Sequence, residues 1–394
     1  MLELFLSFLA GVVAGTITGI VPGIHVNLIA AILISLAFKP YSLPLAVFIV
    51  SMSITHTFLD FLPSIFLGAP DEDTALSILP GHKMLLKGNG YGALRLTAIG
   101  SLLGLFLAMI LLPFFIFFSS HLYGFIRKFM GYILIFISTV LILKERKKFF
   151  ALFIFLISGI LGLITLNFPL IKQPLLPLLN GLFGTSLLTI SFIQKVKIPK
   201  QKLKKERISK KETIKALSSS VFSSTLVSFL PGIGASQAAV ISSSFWKRIN
   251  EKMFLVMLGS INTIVMALSF SVLYTVGKSR TGSAAAIQRI LPTITSKEFI
   301  TLVLFMILSG ILSFFLCDFF GRFFARKITR INYRWLCFSI LMLIFIITVT
   351  VSGPLALLVL VCGTSIGILT HCLGIRKMHM MGCLLVPTII NTLS

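Results

Sequence analysis

The feature that most limits the folds open to this chain is a series of apolar runs, most of them about as long as a membrane is thick. A helix of about 20 apolar residues crosses a ~30 Å hydrocarbon core. Hydrophobic residues make up 57% of the sequence and charged residues only 12%, whereas a soluble domain has about 25% charged residues. Fourteen runs follow one another, at 2–20, 24–38, 43–67, 92–118, 122–143, 149–167, 174–193, 214–230, 235–246, 252–276, 298–321, 333–351, 354–371 and 377–392. We therefore predict an all-α polytopic membrane protein.

The large positive charge of the chain is compatible with a membrane protein. The formal net charge is +24, and the basic residues lie in short polar gaps between the apolar runs, the most basic being 195–215. Cytoplasmic loops of membrane proteins carry an excess of Lys and Arg, and such segments contact anionic headgroups. We expect membrane lipids, and no nucleic acid, as partners of these segments.

The sequence repeats itself at a fixed distance. Pro231 lies 209 residues after Pro22, and the same offset, without gaps, pairs Gly23 with Gly232 and Ser51 with Ser260. Seven apolar runs precede the basic gap and seven follow it. Such self-similarity indicates an internal duplication. We expect a first membrane repeat at 1–194, a basic cytoplasmic linker at 195–213 and a second membrane repeat at 214–394.

An odd number of segments per repeat predicts that the second copy is inserted upside down. With 195–215 in the cytoplasm, the other basic gaps also fall inside, and the gaps at 119–121, 168–173 and 351–354 fall outside. Both termini then face out of the cell membrane. Inverted-topology repeats are typical of secondary transporters, so this arrangement favours transport by alternating access.

Each repeat opens with an interrupted helix. Pro22-Gly23 and Pro231-Gly232 stand inside apolar runs, where Pro removes a backbone donor and Gly weakens the helix. We predict two helical hairpins whose tips lie at membrane depth. The half-helix after each break would point free N–H groups at the tip, an arrangement that suits a carboxylate or another anion.

Polar residues follow both breaks. His25 and Asn27 come after the first; Gly234, Ser236 and Gln237 come after the second. Their side chains could contact a substrate in a dry site. Alternatively they cap their own helices, as Asn and Ser often do. Their symmetric placement favours substrate binding.

A second polar cluster follows the third run of each repeat. Asp73-Thr74 and Gly282-Ser283 are equivalent at the 209-residue offset, and we place Thr74 and Ser283 in the substrate site and Asp73 in a coupling-ion site. The alternative is a solvated connecting loop. In the third run, His56 and Asp60 are four residues apart and share a helix face, and Asn262 makes the equivalent face of the second repeat polar. Ionisable groups at that depth are functional candidates, so His56, Asp60 and Asn262 are further coupling-ion candidates.

No catalytic or metal-binding pattern stands out. The five cysteines form no C-x-x-C pair, and the six histidines have no H-E-x-x-H spacing. We therefore expect no metal, no cofactor and no enzymatic activity.

The motifs resemble a known family. PGIGASQAAV at 231–240 resembles the P-G-x-G-x-x-x-A-x motif of the large membrane subunit of tripartite tricarboxylate transporters, and VPGI at 21–24 matches that family's first Pro-Gly. The stretch at 74–104 is similar to its T-A-x-x-x-x-G…G…A-L segment, with Pro80-Gly81 in place of an Asp-Gly. The resemblance implies a permease for carboxylates, driven by H⁺ or Na⁺ and served by a small membrane subunit and an extracytoplasmic binding protein.

Together these observations predict a secondary-active permease for a small organic anion, a di- or tricarboxylate if the resemblance holds. Two alternatives remain open. An intramembrane lipid-modifying enzyme would need a clustered nucleophile, base or metal set. A non-transporting membrane scaffold would need no polar residues at the hairpin tips.

Overall fold

The chain is helical throughout the part that the structure describes. The computed structural model describes residues 2–21, 26, 29, 42–69, 73–194, 198–204, 206–229, 234–246, 248–328 and 333–393, and contains no strand within them. The α-helices are α1 (Leu2–Ile20), α2 (Leu43–Leu59), α3 (Ile78–Leu86), α4 (Gly90–Leu143), α5 (Lys148–Leu166), α6 (Leu175–Leu179), α7 (Ser186–Ile193), α8 (Lys210–Ser228), α9 (Ala235–Ser244), α10 (Glu251–Val276), α11 (Gly282–Ile290), α12 (Ser296–Lys327), α13 (Tyr333–Ile347), α14 (Ala356–Leu373) and α15 (Gly382–Leu393). Short π-helical turns at Pro63–Leu67, Asn180–Thr185 and Thr348–Ser352, and 3-10 turns at Ala75–Ser77 and Lys377–Met381, join some of them.

Nine helical stretches of the described residues are long and apolar enough to cross a membrane. They are Leu2–Ile20, Leu43–Leu67, Gly90–Ser119, Lys148–Leu166, Leu175–Ile193, Glu251–Val276, Ser296–Lys327, Arg334–Ser352 and Ala356–Leu373. Most residues of the stretches at Leu43–Leu67 and Glu251–Val276 are buried inside the protein, so these two stretches form its centre. The prediction of a multi-pass helical membrane protein is confirmed.

Helix α4 joins two runs that the sequence separates. Helical structure continues through 119–121, where we expected a connecting gap, because no Pro or Gly interrupts the chain there. A straight helix of 54 residues would be roughly 80 Å long. Leu141 and Lys144 nevertheless line the same cavity as Lys83, which precedes α4. The element therefore folds back on itself between Ser119 and Lys128, and its two arms match the two predicted runs.

Helices α8 and α9 form an antiparallel helical hairpin. A capping box between Ser209 and Glu212 starts α8 at Lys210, four residues before the predicted start. Glu212 binds Asn250, and the Ser244 carbonyl at the end of α9 accepts a hydrogen bond from Lys144. The outer ends of both helices thus lie on the same face of the protein. Helix α9 has 10 residues and is about 15 Å long, about half the thickness of a hydrocarbon core.

Neighbouring helices show a regular pattern of directions. Gly11 lies against Ser51 and Gly19 against Leu59, so α1 and α2 run in the same direction. Helices α8 and α10 also run in the same direction, because Glu212 pairs with Asn250 and Ser220 with Met257. Helices α2 and α10 run in opposite directions, since contacts between them pair Asp60 with Asn262 and Thr57 with Thr263.

The basic connections between helices gather on one side, which we call the basic face. Ion pairs and hydrogen bonds link them there: Lys83–Glu251, Lys252–Glu206, Asn89–Glu206, Arg376–Glu145, Lys147–Leu373 and Arg322–Asp318. Hydrogen bonds from Arg376 and His379 lower the pKa of Glu145 and outweigh its partial burial, so this carboxylate is charged at neutral pH. The basic face is the side that the sequence predicts to be cytoplasmic.

A close crossing between α4 and α10 joins the two halves of the chain. A Cβ at Gly259 would collide with the backbone carbonyl of Thr97, and one at Gly100 with the backbone of Val256. Small residues of this kind let membrane helices approach closely.

We predict that Gly259→Val destabilises the protein strongly. The clash is with backbone, which cannot rotate away, and overpacking of this kind costs about 1–3 kcal/mol or more. Thermal unfolding of the full chain in detergent should show a melting temperature several degrees lower. Gly124→Val is the control, because a Cβ there meets nothing within 4 Å; equal melting of both variants would contradict the prediction.

Candidate functional site

The described end of the α8–α9 hairpin holds a carboxylate from the other half of the chain. The backbone N–H of Ala235, the first residue of α9, donates to Asp73 Oδ1 at 2.8 Å. Gly234 is the N-cap residue, and its N–H donates to Gln237 Oε1 at 2.9 Å. The first N–H groups of a helix carry partial positive charge and have no partner inside the helix. The start of α9 thus contacts an anionic side chain, that of Asp73, in this structure.

The contacts of Gln237 bear on whether the polar residues after the second break cap their helix or bind substrate. Its side-chain oxygen caps its own helix, as the capping alternative expects. Its Nε2 is buried and has no hydrogen-bond partner among the described residues. Buried donors normally find a partner, so this amide is a candidate contact for a bound molecule. Ser236, next to it, is also fully buried.

Thr74 contacts the turn at the end of the stretch Leu43–Leu67. Its Oγ1 accepts a hydrogen bond from Ser64 Oγ at 3.0 Å, and both residues are fully buried. Ser64 lies in the π-helical turn Pro63–Leu67, which ends at Gly68 with a φ of 68°. Turns of this type are frequent at functional sites. Thr74 therefore lies in the protein interior, not in the solvated loop that was the alternative.

Ser283 lies in the equivalent part of the second half. It is the second residue of α11, is fully buried, and follows Thr281, whose side chain caps the helix through the N–H of Ala284. Ala284 belongs to the same buried apolar cluster as Val26, the first described residue after the first Pro-Gly. The start of α11 thus shares a cluster with the chain next to the first break, whereas Asp73 contacts the chain next to the second.

The coupling-ion candidates Asp60 and Asn262 meet across the two halves. Asn262 Nδ2 donates to Asp60 Oδ2 at 2.7 Å and approaches the Thr57 carbonyl at 3.3 Å. Asp60 is 1% exposed and Asn262 2% exposed. Asp60 is the only acidic side chain among the described residues that is fully buried. A carboxylate at this depth is costly and marks an ion or proton path in membrane proteins.

His56 of α2 contacts α1. Its Nδ1 lies 3.1 Å from Thr18 Oγ1, and the ring is buried. Its role as a coupling-ion candidate stays a prediction.

Sequence reasoning missed the threonine pair beside Asp60. Thr57 Oγ1 and Thr263 Oγ1 are 3.1 Å apart, buried between α2 and α10. Thr57 lies three residues before Asp60, on the same helix face, and Thr263 follows Asn262. A search for polar residues flanking each candidate would have found both.

Six of the predicted site residues fall outside the described residues. They are Pro22, Gly23, His25, Asn27, Pro231 and Gly232. Their proposed roles stay predictions. Within the described residues, no group of three His, Cys, Asp or Glu side chains is placed to hold a metal ion.

Comparison with known proteins identifies the family. The family model described as the tripartite tricarboxylate transporter TctA family matches residues 5–382. An uncharacterized protein of Methanocaldococcus jannaschii is 31% identical over 406 aligned residues, which cover 98% of each chain. No solved structure matches this chain. The two matches extend over nearly all of the sequence, including both breaks and the Asp73 and Asp60 regions, and the chain therefore belongs to the tripartite tricarboxylate transporter TctA family.

Proposed function

We propose that the chain is a secondary-active permease for a di- or tricarboxylate, coupled to H⁺ or Na⁺. The observation that carries this proposal is the hydrogen bond from the Ala235 N–H to the Asp73 carboxylate. The protein's own carboxylate marks the place at the start of α9 where a carboxylate ligand is stabilised. The family name, which refers to tricarboxylates, agrees with that chemistry.

Substrate binding would exchange one carboxylate for another. A carboxylate at a helix start is worth about 0.5–2 kcal/mol, so an incoming substrate carboxylate can displace Asp73 at little net cost. The Gln237 Nε2 donor lies in the same turn of helix and would add a second contact. Thr74 and Ser236 would line the same place, and Ser283, Pro22, Gly23, His25, Asn27, Pro231, Gly232 and Gly234 would complete the pseudo-symmetric site.

Alternating access would come from two inverted repeats moving around this site. Three features support the inversion. Among the described residues, α1, α2, α3 and the first arm of α4 are followed in the same order by α8, α10, α11 and α12 in the second half. The pair α1–α2 and the equivalent pair α8–α10 each run in one direction, and α2 and α10 run in opposite directions.

Coupling to an ion would act through the Asp60–Asn262 pair. Asp60 is buried between the two halves, where binding of H⁺ or Na⁺ would neutralise its charge. A bound ion would change the free energy needed to move one repeat of the chain relative to the other. His56 and Asp73 are the further coupling-ion candidates, and the threonine pair adds hydroxyl oxygens beside Asp60.

Partners follow from the word tripartite in the family name. We propose a small membrane subunit and an extracytoplasmic binding protein as the other two parts. The cell membrane, with both termini outside, is the location that the basic face favours.

Reconstitution tests the function directly. The full chain in liposomes, alone and with the candidate partner subunits, should take up labelled citrate or succinate when an inward H⁺ or Na⁺ gradient is imposed. Liposomes without protein and without a gradient are the controls. Gradient-independent leakage equal to the gradient-driven signal would contradict ion coupling, and failure of all tested carboxylates under every condition would contradict the substrate class.

A further inference from the structure

A cavity of about 680 Å³ opens on the basic face. Its size is within the usual range for small-molecule sites. The walls come from the ends of several elements that are far apart in sequence: α3, the second arm of α4, α9, the start of α10, and the 3-10 turn Lys377–Met381. It is separate from the Asp60–Asn262 pair, neither residue of which lines it.

The cavity wall is strongly positive. Lys83, Lys144, Arg376 and Lys377 line it, and Glu251 is the acidic residue among its described lining. Glu251 is already engaged, because its Oε1 lies 2.6 Å from Lys83 Nζ. A concave surface lined by one sign of charge concentrates ligands of the opposite sign.

Two buried donors in this wall have no partner among the described residues. They are the ammonium nitrogen of Lys377 and the indole Nε1 of Trp246. Lys377 as a residue is 4% exposed. A buried ammonium group without a partner is costly. Burial accordingly lowers the pKa of Lys377 to about 8. Both residues line the cavity, so a rotation of either side chain would bring its donor to an anion held there.

The cavity also adjoins the candidate substrate site. Leu76, which lines it, lies in the 3-10 turn that follows Thr74. Ser243, another lining residue, is at the far end of α9, whose first residue binds Asp73. One face of the cavity is thus built from the two elements that form the candidate substrate site at the hairpin.

We infer that this cavity is a second anion-binding site, in which Lys377 and Trp246 bind a carboxylate group of the transported substrate on its way between the hairpin site and the basic face. This inference rests on the proposed function. It assigns a role to Lys377 that neither the sequence motifs nor the family membership supplies. Lys377 here is a binding residue, and Lys144 and Arg376 add positive charge to the wall, whereas the charge of Lys83 is offset by Glu251.

The inference predicts a particular pH dependence. Binding of an anion favours the charged form of Lys377, so affinity should fall as pH rises through about 8. The charged and titratable groups around Lys377 are His82 and Lys83 of α3, Lys144 after α4, Glu251 of α10, and Arg376 and His379 of its own segment. Burial lowers the pKa of His82 to about 4, and that of His379 is also lowered by burial. Neither imidazole therefore titrates between pH 7 and 9.

Equilibrium binding of citrate to the full chain provides the test. We would measure it by calorimetry at pH 7 and pH 9, in nanodiscs of phosphatidylcholine and in nanodiscs containing phosphatidylglycerol. For the wild type we expect binding up to about tenfold weaker at pH 9, because little of Lys377 is then charged. Lys377→Arg should bind with nearly the same affinity at both pH values, and Lys377→Met should bind at least about tenfold more weakly at pH 7.

Lys83→Met is the matched control. This lysine lines the same cavity, but its side chain is 62% exposed and paired with Glu251, so its loss should change affinity less than about threefold. Unchanged citrate affinity in Lys377→Met would overturn the inference. If Lys377→Met fails to fold, the wild-type pH profile decides, and a flat profile overturns it. Loss of citrate binding only when phosphatidylglycerol is present would show that lipid headgroups take the cavity, and would also overturn it.

The test separates this site from transport itself. The expected binding pattern without any uptake in liposomes would support the cavity site and contradict the proposed permease activity. Uptake that Lys377→Met leaves unchanged, together with unchanged binding, would contradict the cavity site and support the permease activity.

Discussion

Replacing Asp60 with asparagine is expected to abolish ion-driven accumulation of substrate and to leave substrate exchange intact. The substitution keeps the shape of the side chain and an oxygen that can accept the hydrogen bond from Asn262, now at 2.7 Å. It removes the negative charge that H⁺ or Na⁺ would neutralise. Uptake under an imposed gradient should therefore fall to the level of protein-free liposomes, while counterflow of labelled for unlabelled citrate continues.

The stability of the pair can be measured separately. Asn262→Leu leaves the buried Asp60 without the donor at 2.7 Å, and breaking a buried polar pair in this way costs about 2–5 kcal/mol. Asp60→Asn should cost about 1 kcal/mol or less, because a neutral hydrogen bond remains. The exchanged variant Asp60→Asn with Asn262→Asp should recover most of the stability that Asn262→Leu loses. Full gradient-driven accumulation by Asp60→Asn would contradict a coupling role for this carboxylate.

Removing the Asp73 carboxylate is expected to tighten substrate binding at the hairpin. If Asp73 occupies the place of a substrate carboxylate, Asp73→Ala frees the Ala235 N–H and removes the competitor. A carboxylate at a helix start contributes about 1.4 kcal/mol in favourable cases, which corresponds to a tenfold lower Kd. Citrate binding to the full chain by calorimetry would show this change, and Asp73→Asn should have a smaller effect because the amide oxygen still accepts the bond.

Glu298→Ala is the matched control for Asp73. Glu298 is also an acidic side chain at a helix start, in the capping box of α12, and it takes no part in the candidate site. Its loss should leave the Kd for citrate unchanged. Weaker citrate binding in Asp73→Ala, with the control unaffected, would mean that Asp73 is a substrate contact or a structural cap and not a competitor.

The fold class could be predicted from the sequence to a large extent. Membrane crossing depends on about 20 consecutive apolar residues, and nine of the fourteen predicted runs correspond to the nine candidate spans of the described residues. The hairpin at α8–α9 was also predictable, because Pro and Gly act on the backbone where they stand. The connection expected at 119–121 is helical in the structure, and the chain folds back between Ser119 and Lys128, a stretch that contains Gly124.

The candidate site was predictable only as a set of residue types. Asp73, Asp60, Asn262 and Gln237 were chosen for their polarity in an apolar chain, and the structure assigns each a specific partner. Lys377 and Trp246 gave no such signal, because a basic residue near a membrane surface usually reflects topology alone. Their importance comes from burial without a partner, which depends on the segments packed around them.

The sequence by itself determined the properties that are local along the chain: the helical membrane class, the 209-residue repeat, the positions of the breaks and the basic connections. Only the tertiary structure decided which residues meet. Asp73 and Ala235 are 162 residues apart, and Asp60 and Asn262 are 202 apart. Hydropathy and backbone propensity act over one helix at most, whereas these contacts depend on how α2, α9 and α10 pack together. That packing brings the Asp73 carboxylate to the first N–H group of α9.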